Sequence, residues 1–212
     1  MDQDMPATPF SALLLAGGAS TRMGRDKALL PHPISGRSLL EHQATLLRSL
    51  PGCAELLISA PPERAYRCSG ELATAQLVED SLPGLGPLGG VAAGLARASQ
   101  RRLLVLAVDL PWVTPRLLER LLDPAGSGAP ATTELRGSVP RHADGRFEPL
   151  CAVYPQAPEP RRAIEDALLW GRLSLQDLLH TACAAGWMQP LAIDESELRC
   201  FTNWNTPSDL PP

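Results

Sequence analysis

The sequence predicts an α/β fold: a single Rossmann-like domain with a mostly parallel central sheet flanked by helices on both faces. Three observations predict it. Short apolar runs alternate with segments of helical period through the first part of the chain. The strongest run, residues 102–108, is apolar almost throughout, as suits a strand covered on both faces. A chain of 212 residues, 44% of them hydrophobic, has material for one sizeable core. Strand–helix alternation gives parallel strands joined by right-handed crossovers. Ligands then gather outside the carboxyl ends of the strands. Residues 1–10 read as a flexible N-terminal segment and residues 11–212 as the domain, with no repeat or linker dividing it.

The elements follow in order. Residues 11–15 are apolar and end in Ala-Gly-Gly, a buried strand feeding a loop. Residues 38–50 form a helix, with Leu39, Leu40, Leu46, Leu47 and Leu50 at helical spacing. Ser38 stands at its N-cap and Glu41 at the capping-box position. Residues 55–59 are a second strand and 76–79 a weaker third. A helix over 87–97 has Pro87 in its first turn. The 102–108 strand ends at Asp109, and a helix over 115–122 is capped by Thr114. Residues 125–130 are a Gly/Ala/Pro-rich loop. Residues 138–141 and 149–154 are expected to pair around an Asp144-Gly145 turn. Residues 158–170 and 174–184 read as two further helices.

Composition narrows the function. The net charge is −4 and no basic run occurs, so a nucleic-acid partner is not expected, because phosphate neutralisation supplies most of that affinity. No apolar stretch approaches the ~20 residues that span a bilayer, and the acidic N-terminus lacks a signal-peptide n-region. No membrane partner and a cytoplasmic location are therefore expected. Cys53, Cys68, Cys151, Cys183 and Cys200 are scattered without a C-x-x-C pair. His32, His42, His142 and His180 show no metal-ligand spacing.

Chemistry concentrates in residues 15–27, Leu-Ala-Gly-Gly-Ala-Ser-Thr-Arg-Met-Gly-Arg-Asp-Lys. Gly17 and Gly18 let the backbone approach a ligand closely. Successive free N–H groups in such a turn form an anion nest. Arg22, Arg25 and Lys27 add three cations, the combination a triphosphate requires. Gly24 is followed by Arg25-Asp26, so this is not a Walker A loop. A second glycine motif competes with it. Gly84-Leu85-Gly86-Pro87-Leu88-Gly89 is a literal G-x-G-x-x-G before a helix, and Asp109 lies about twenty residues beyond. That would fit an NAD-dependent oxidoreductase. However, Ser81-Leu82-Pro83 separate the motif from its strand, two strands precede it, and it leaves residues 15–27 unexplained. Asp109, at the end of the strongest strand, is the carboxylate best placed for Mg²⁺, which takes one or two carboxylates plus phosphate oxygens and water.

The run Leu-Ala-Gly-Gly-x-Ser-x-Arg-Met-Gly-x-Asp-Lys resembles the signature of the MobA-like nucleotidyltransferases, a family that includes molybdenum cofactor guanylyltransferases and their cytidylyltransferase relatives. Gly86-Pro87-Leu88-Gly89-Gly90, Pro149-Leu150-Cys151-Ala152-Val153-Tyr154-Pro155 and the segment from Phe201 to Leu210 resemble later motifs of that family. The likeness extends over nearly the whole chain. It departs from the family in having only Arg25 between Gly24 and Asp26, and Ser38 in place of a frequent proline.

The resemblance implies the following. Leu15, Ala16, Gly17 and Gly18 cradle the nucleotide, with Lys27 and Arg22 on its phosphates. Asp80 and Ser59 contact the nucleotide, and Asp109 binds both nucleotide and Mg²⁺ as the only cofactor. Asn203 and Asn205, at i and i+2 in an extended segment, face the acceptor together. The implied substrates are GTP and molybdopterin, with transient contact to other cofactor-biosynthesis proteins. Leu-Ala-Gly-Gly and Gly-Pro-Leu look more like the guanylyl than the cytidylyl branch. A different acceptor, transfer from CTP, or a nucleotide-binding module without turnover are the alternatives.

Overall fold

The structure, a computed structural model, describes residues 7–17, 26–61, 66, 70–79, 85–126 and 135–204. Its centre is a seven-stranded sheet. The strands are β1 (Phe10–Leu15), β2 (Cys53–Ala60), β3 (Gln76–Glu79), β4 (Arg102–Ala107), β5 (Gly137–Arg141), β6 (Cys151–Pro155) and β7 (Met188–Ala192). Their order is β3-β2-β1-β4-β6-β5-β7. β1 pairs parallel with β2 and β4, β2 with β3, and β5 with β7. β6 runs antiparallel to both β4 and β5, so it alone opposes the other described strands.

Helices α1 (Leu39–Ser49), α2 (Gly86–Arg97), α3 (Pro115–Leu122), α4 (Pro158–Leu169) and α5 (Leu175–Ala184) divide between the two faces. On one face α1 and α3 bury Leu40, Leu47, Leu117 and Leu121 against Leu14, Ile58 and Leu106. On the other, α2, α4 and α5 bury Leu88, Ile164 and Leu179 against Leu13, Leu57 and Val105. Alternate residues of β1 thus serve opposite layers, as the period of two dictates. No described helix is long and apolar enough to cross a membrane.

Local chemistry explains the boundaries. Ser38 caps α1 with a reciprocal capping box, its hydroxyl accepting from Glu41 N–H while Glu41 accepts from Ser38 N–H. Thr114 and Ser174 cap α3 and α5 without the reciprocal bond, their hydroxyls accepting from Leu117 N–H and Asp177 N–H. The expected hairpin is present: Gly145 N–H donates to His142 O at 2.9 Å and His142 N–H to Arg146 O at 2.8 Å. Gly145 sits there at φ +91°, where a side chain would be strained.

Directly after the competing glycine motif, two further glycines of α2 serve packing. A Cβ on Gly90 would lie 2.7 Å from Leu15 Cδ2 and 3.0 Å from Ser59 Oγ, and one on Gly94 would strike Leu13. These glycines let α2 lie close on β1 and β2. Four elements lie beyond the periodicity reading, one of them a 3-10 turn over Gly70–Leu72. The others are 3-10 turns over Lys27–Leu29 and Glu195–Phe201, and strand β7. β7 contains Pro190, tolerated because β7 is an edge strand that pairs, among the described residues, with β5 alone.

Candidate functional site: a crevice at the carboxyl edge of the sheet

The chain leaves β1 toward β2 and β3, then returns to β4 on the other side of β1. The strand order therefore reverses between β1 and β4, the point where an open α/β sheet forms its ligand crevice. The ends of these two strands are stitched together, Val108 N–H donating to Leu15 O at 3.0 Å. Ala16 N–H donates to Ser59 O at 2.9 Å, which ties the start of the loop to β2. The Ser59 side chain is only 2% exposed and lies beneath α2. A Cβ on Gly17 would meet Pro61 at 3.8 Å and Ser59 O at 3.9 Å, ordinary contacts. The described packing therefore does not demand a glycine there, whereas a ligand approaching the backbone would.

Lys27 and Asp109 meet at this edge. Lys27 Nζ lies 3.2 Å from Asp109 Oδ2, with the two side chains 18% and 24% exposed. Lys27 is placed by its neighbour: Asp26 caps the 3-10 turn, Oδ1 accepting from Ala28 N–H at 3.1 Å. The Tyr66 hydroxyl lies 3.0 Å from Asp26 Oδ2 and 3.2 Å from Ala16 O, and can donate to either. One buried phenol thus bridges the two stems of the loop, residue 16 on one side and residue 26 on the other.

Asp109 is anchored by the closing segment, Trp204 N–H donating to Asp109 O at 3.1 Å. Trp204 is 1% exposed and meets Trp112 edge-on at 6.2 Å between centroids. Trp112 in turn carries the Arg199 guanidinium 4.3 Å above its ring. This brings the exposed Asn203 beside Asp109 along the chain. Gly18, Arg22, Asp80 and Asn205 lie outside the described residues.

Among the described residues no group of three His, Cys, Asp or Glu side chains converges. Asp109 is a carboxylate at the crevice that a divalent ion could take as one ligand. Such a ligand suits an ion such as Mg²⁺, which completes its shell with phosphate oxygens and water.

Sequence reasoning did not identify Tyr66, His32, Gln43 or Trp204 as site residues. None stands in a local pattern that marks it, and each acts on a residue distant in sequence.

Residues 12–184 match the MobA-like NTP transferase domain, most of the chain. The chain belongs to this family. It is a nucleotidyltransferase. A probable molybdenum cofactor guanylyltransferase of Opitutus terrae is 34% identical over 206 residues, 96% of this chain and 94% of the relative. One from Mycolicibacterium paratuberculosis is 32% identical over 204 residues, covering 95% and 93%. The same fold occurs in molybdopterin-guanine dinucleotide biosynthesis protein A of Archaeoglobus fulgidus, with a TM-score of 0.67, 23% identity and 94% of each chain covered. It also occurs in 2-C-methyl-D-erythritol 4-phosphate cytidylyltransferase of Thermus thermophilus, with a TM-score of 0.65, 23% identity and 95% of each chain covered. The family match contains the whole crevice from Leu15 to Asp109, whereas Asn203 lies beyond it.

Proposed function

We propose that this nucleotidyltransferase transfers GMP from GTP to the terminal phosphate of molybdopterin, in a Mg²⁺-dependent reaction. The observation that carries the reading is the Lys27–Asp109 pair at the topological switch point, directly beyond a glycine loop whose Gly17 the described packing does not require. The names of the Opitutus and Mycolicibacterium relatives supply the nucleotide and the acceptor.

The chemistry follows from the groups present. An oxygen of the acceptor phosphate attacks the α-phosphorus of GTP. A new phosphoanhydride bond forms as the bond to the β-phosphate breaks, and pyrophosphate leaves with the electron pair. No protein nucleophile is needed, so positioning and charge neutralisation account for catalysis. Asp109 would hold Mg²⁺, which when bound supplies electrostatic stabilisation of the triphosphate and its leaving group. Lys27, held at the mouth of the crevice by the Asp26 cap, takes the phosphates as a mobile cation. Arg22 assists it, and the Gly17 and Gly18 amides act as fixed donors. Leu15, Ala16, Ser59 and Asp80 shape the nucleotide side. Asn203 and Asn205 face the acceptor.

Turnover with α-labelled GTP, molybdopterin and Mg²⁺ tests this. The expected products are labelled dinucleotide and unlabelled pyrophosphate, with at least ~10²-fold loss of turnover in Asp109→Asn. Near-normal turnover in that variant contradicts the metal assignment. A product formed from CTP but not GTP moves the reaction to the cytidylyl branch.

A further inference from the structure

Three consecutive carbonyls of the Asp109 loop are each engaged by a different donor. Asp109 O accepts from Trp204 N–H at 3.1 Å. Leu110 O accepts from Gln43 Nε2 at 2.6 Å. Pro111 O lies 3.0 Å from His32 Nε2. Loops normally keep their carbonyls in water; this one is held at three successive peptides starting with that of Asp109.

The two side-chain donors are among the few buried polar residues that the structure describes, Gln43 being 0% and His32 3% exposed. Gln43 lies on the sheet-facing side of α1 among Leu39, Leu40, Ala44 and Leu47. Its Oε1 has no hydrogen-bond partner among the described residues. A buried half-satisfied amide is a poor device for stability, since the unpaired oxygen carries its full desolvation cost. What the amide does provide is one short bond to the residue after Asp109. His32 is set for the same task. Its Nδ1 accepts from Ile34 N–H at 3.3 Å and Ser35 N–H at 3.2 Å, so the ring proton resides on Nε2 and donates to Pro111 O. The His42 ring stacks on it at 3.6 Å and 7°, fixing its plane. His32 also follows closely on the 3-10 turn that carries Lys27. One stretch of chain therefore supplies both the cation that faces Asp109 and the donor that fixes its loop.

We propose that Gln43 and His32 are positioning residues for the transfer reaction, holding the Asp109 carboxylate in place when Lys27 exchanges it for an incoming triphosphate. The inference rests on the reading of Asp109 as the metal-side carboxylate. Supports of this kind, one step removed from a metal ligand, tune its affinity by 10–100-fold.

The test compares wild type with Gln43→Leu and His32→Leu. The readouts are melting temperature, affinity for a non-hydrolysable GTP analogue in chelator, Mn²⁺ affinity of that complex by calorimetry, and kcat and KM for GTP. All are taken where circular dichroism shows the proteins fully folded. Gln43→Leu is expected to melt within a few degrees of wild type and to bind the analogue equally without metal. Its complex should bind Mn²⁺ about tenfold more weakly, with kcat lowered and KM for GTP unchanged. His32→Gln, which keeps a donor, is expected to recover much of what His32→Leu loses. Should Gln43→Leu not fold, Gln43→Met is measured instead. Variants that melt lower yet keep wild-type Mn²⁺ affinity and kcat overturn the proposal and leave both residues purely structural. Wild type that binds neither the analogue nor Mn²⁺ in its presence overturns the assignment of the site itself.

Discussion

The Lys27–Asp109 pair is partly open to solvent, at 18% and 24% exposure, so it adds only ~0–1 kcal/mol to folding. Its significance is placement, and the two roles separate experimentally. Lys27→Met is expected to lower turnover by ~10²-fold or more while shifting the melting temperature by a few degrees at most, read by steady-state kinetics beside thermal melting. Tyr66→Phe removes only the hydroxyl that joins Ala16 O and Asp26. It is expected to raise KM for GTP several-fold at a stability cost of ~1 kcal/mol; an unchanged KM would show that the loop stems hold without that bond. The sequence makes some of these residues legible and hides others for a physical reason. Gly17, Lys27 and Asp109 stand out because glycine, charge and strand end are local features. Tyr66, Gln43 and His32 act across 40, 67 and 79 residues on their hydrogen-bond partners. No periodicity or spacing within one segment reports such contacts.

Elements position the site through close approach. α2 reaches the sheet because Gly90 and Gly94 present no side chains to Leu15, Ser59 and Leu13. Gly90→Ala is expected to cost ~1–3 kcal/mol by overpacking, and to disturb Leu15 and Ser59 at the base of the loop. Chemical denaturation gives the first effect and GTP affinity the second. Ser38→Ala removes the reciprocal cap of α1, a loss of ~1 kcal/mol that denaturation also measures. Helices are legible where cap and period agree, as in α1 and α3. Strands buried on both faces, such as β4, were legible from their uninterrupted apolar run. β7 was not, because an edge strand with Pro190 and alternating partial exposure has neither signal. Its pairing depends on β5, a partner distant in the chain.

At the scale of the molecule, pH acts through His42, whose ring stacks on His32 behind the Asp109 loop. Burial, the neighbouring His32 and the Arg37 cation push His42 down to about 4. Facing it are His32, Ser35 and Arg37, with no carboxylate among its contacts to the described residues. The unfolded chain binds this proton near pH 6.5, whereas the folded protein binds it only near 4. The unfolded state therefore holds more protons between those values, and stability falls as pH drops through the window. Solvent screening of a partly exposed ring limits the effect to ~1–2 kcal/mol. His42→Phe is expected to flatten the stability profile between pH 4 and 6.5, and an unchanged profile would assign acid sensitivity elsewhere.

The sheet order, the two-layer core and the stitched ends of β1 and β4 converge on one crevice, and the central claim is that it holds a guanine triphosphate through a metal at Asp109. Calorimetric titration of the protein with GTP, CTP, ATP, UTP and NADH, with and without Mg²⁺, tests that claim most directly. The account predicts tight binding of GTP that depends on Mg²⁺ and is lost in Asp109→Asn. Metal-independent binding, or binding of NADH alone, would contradict it.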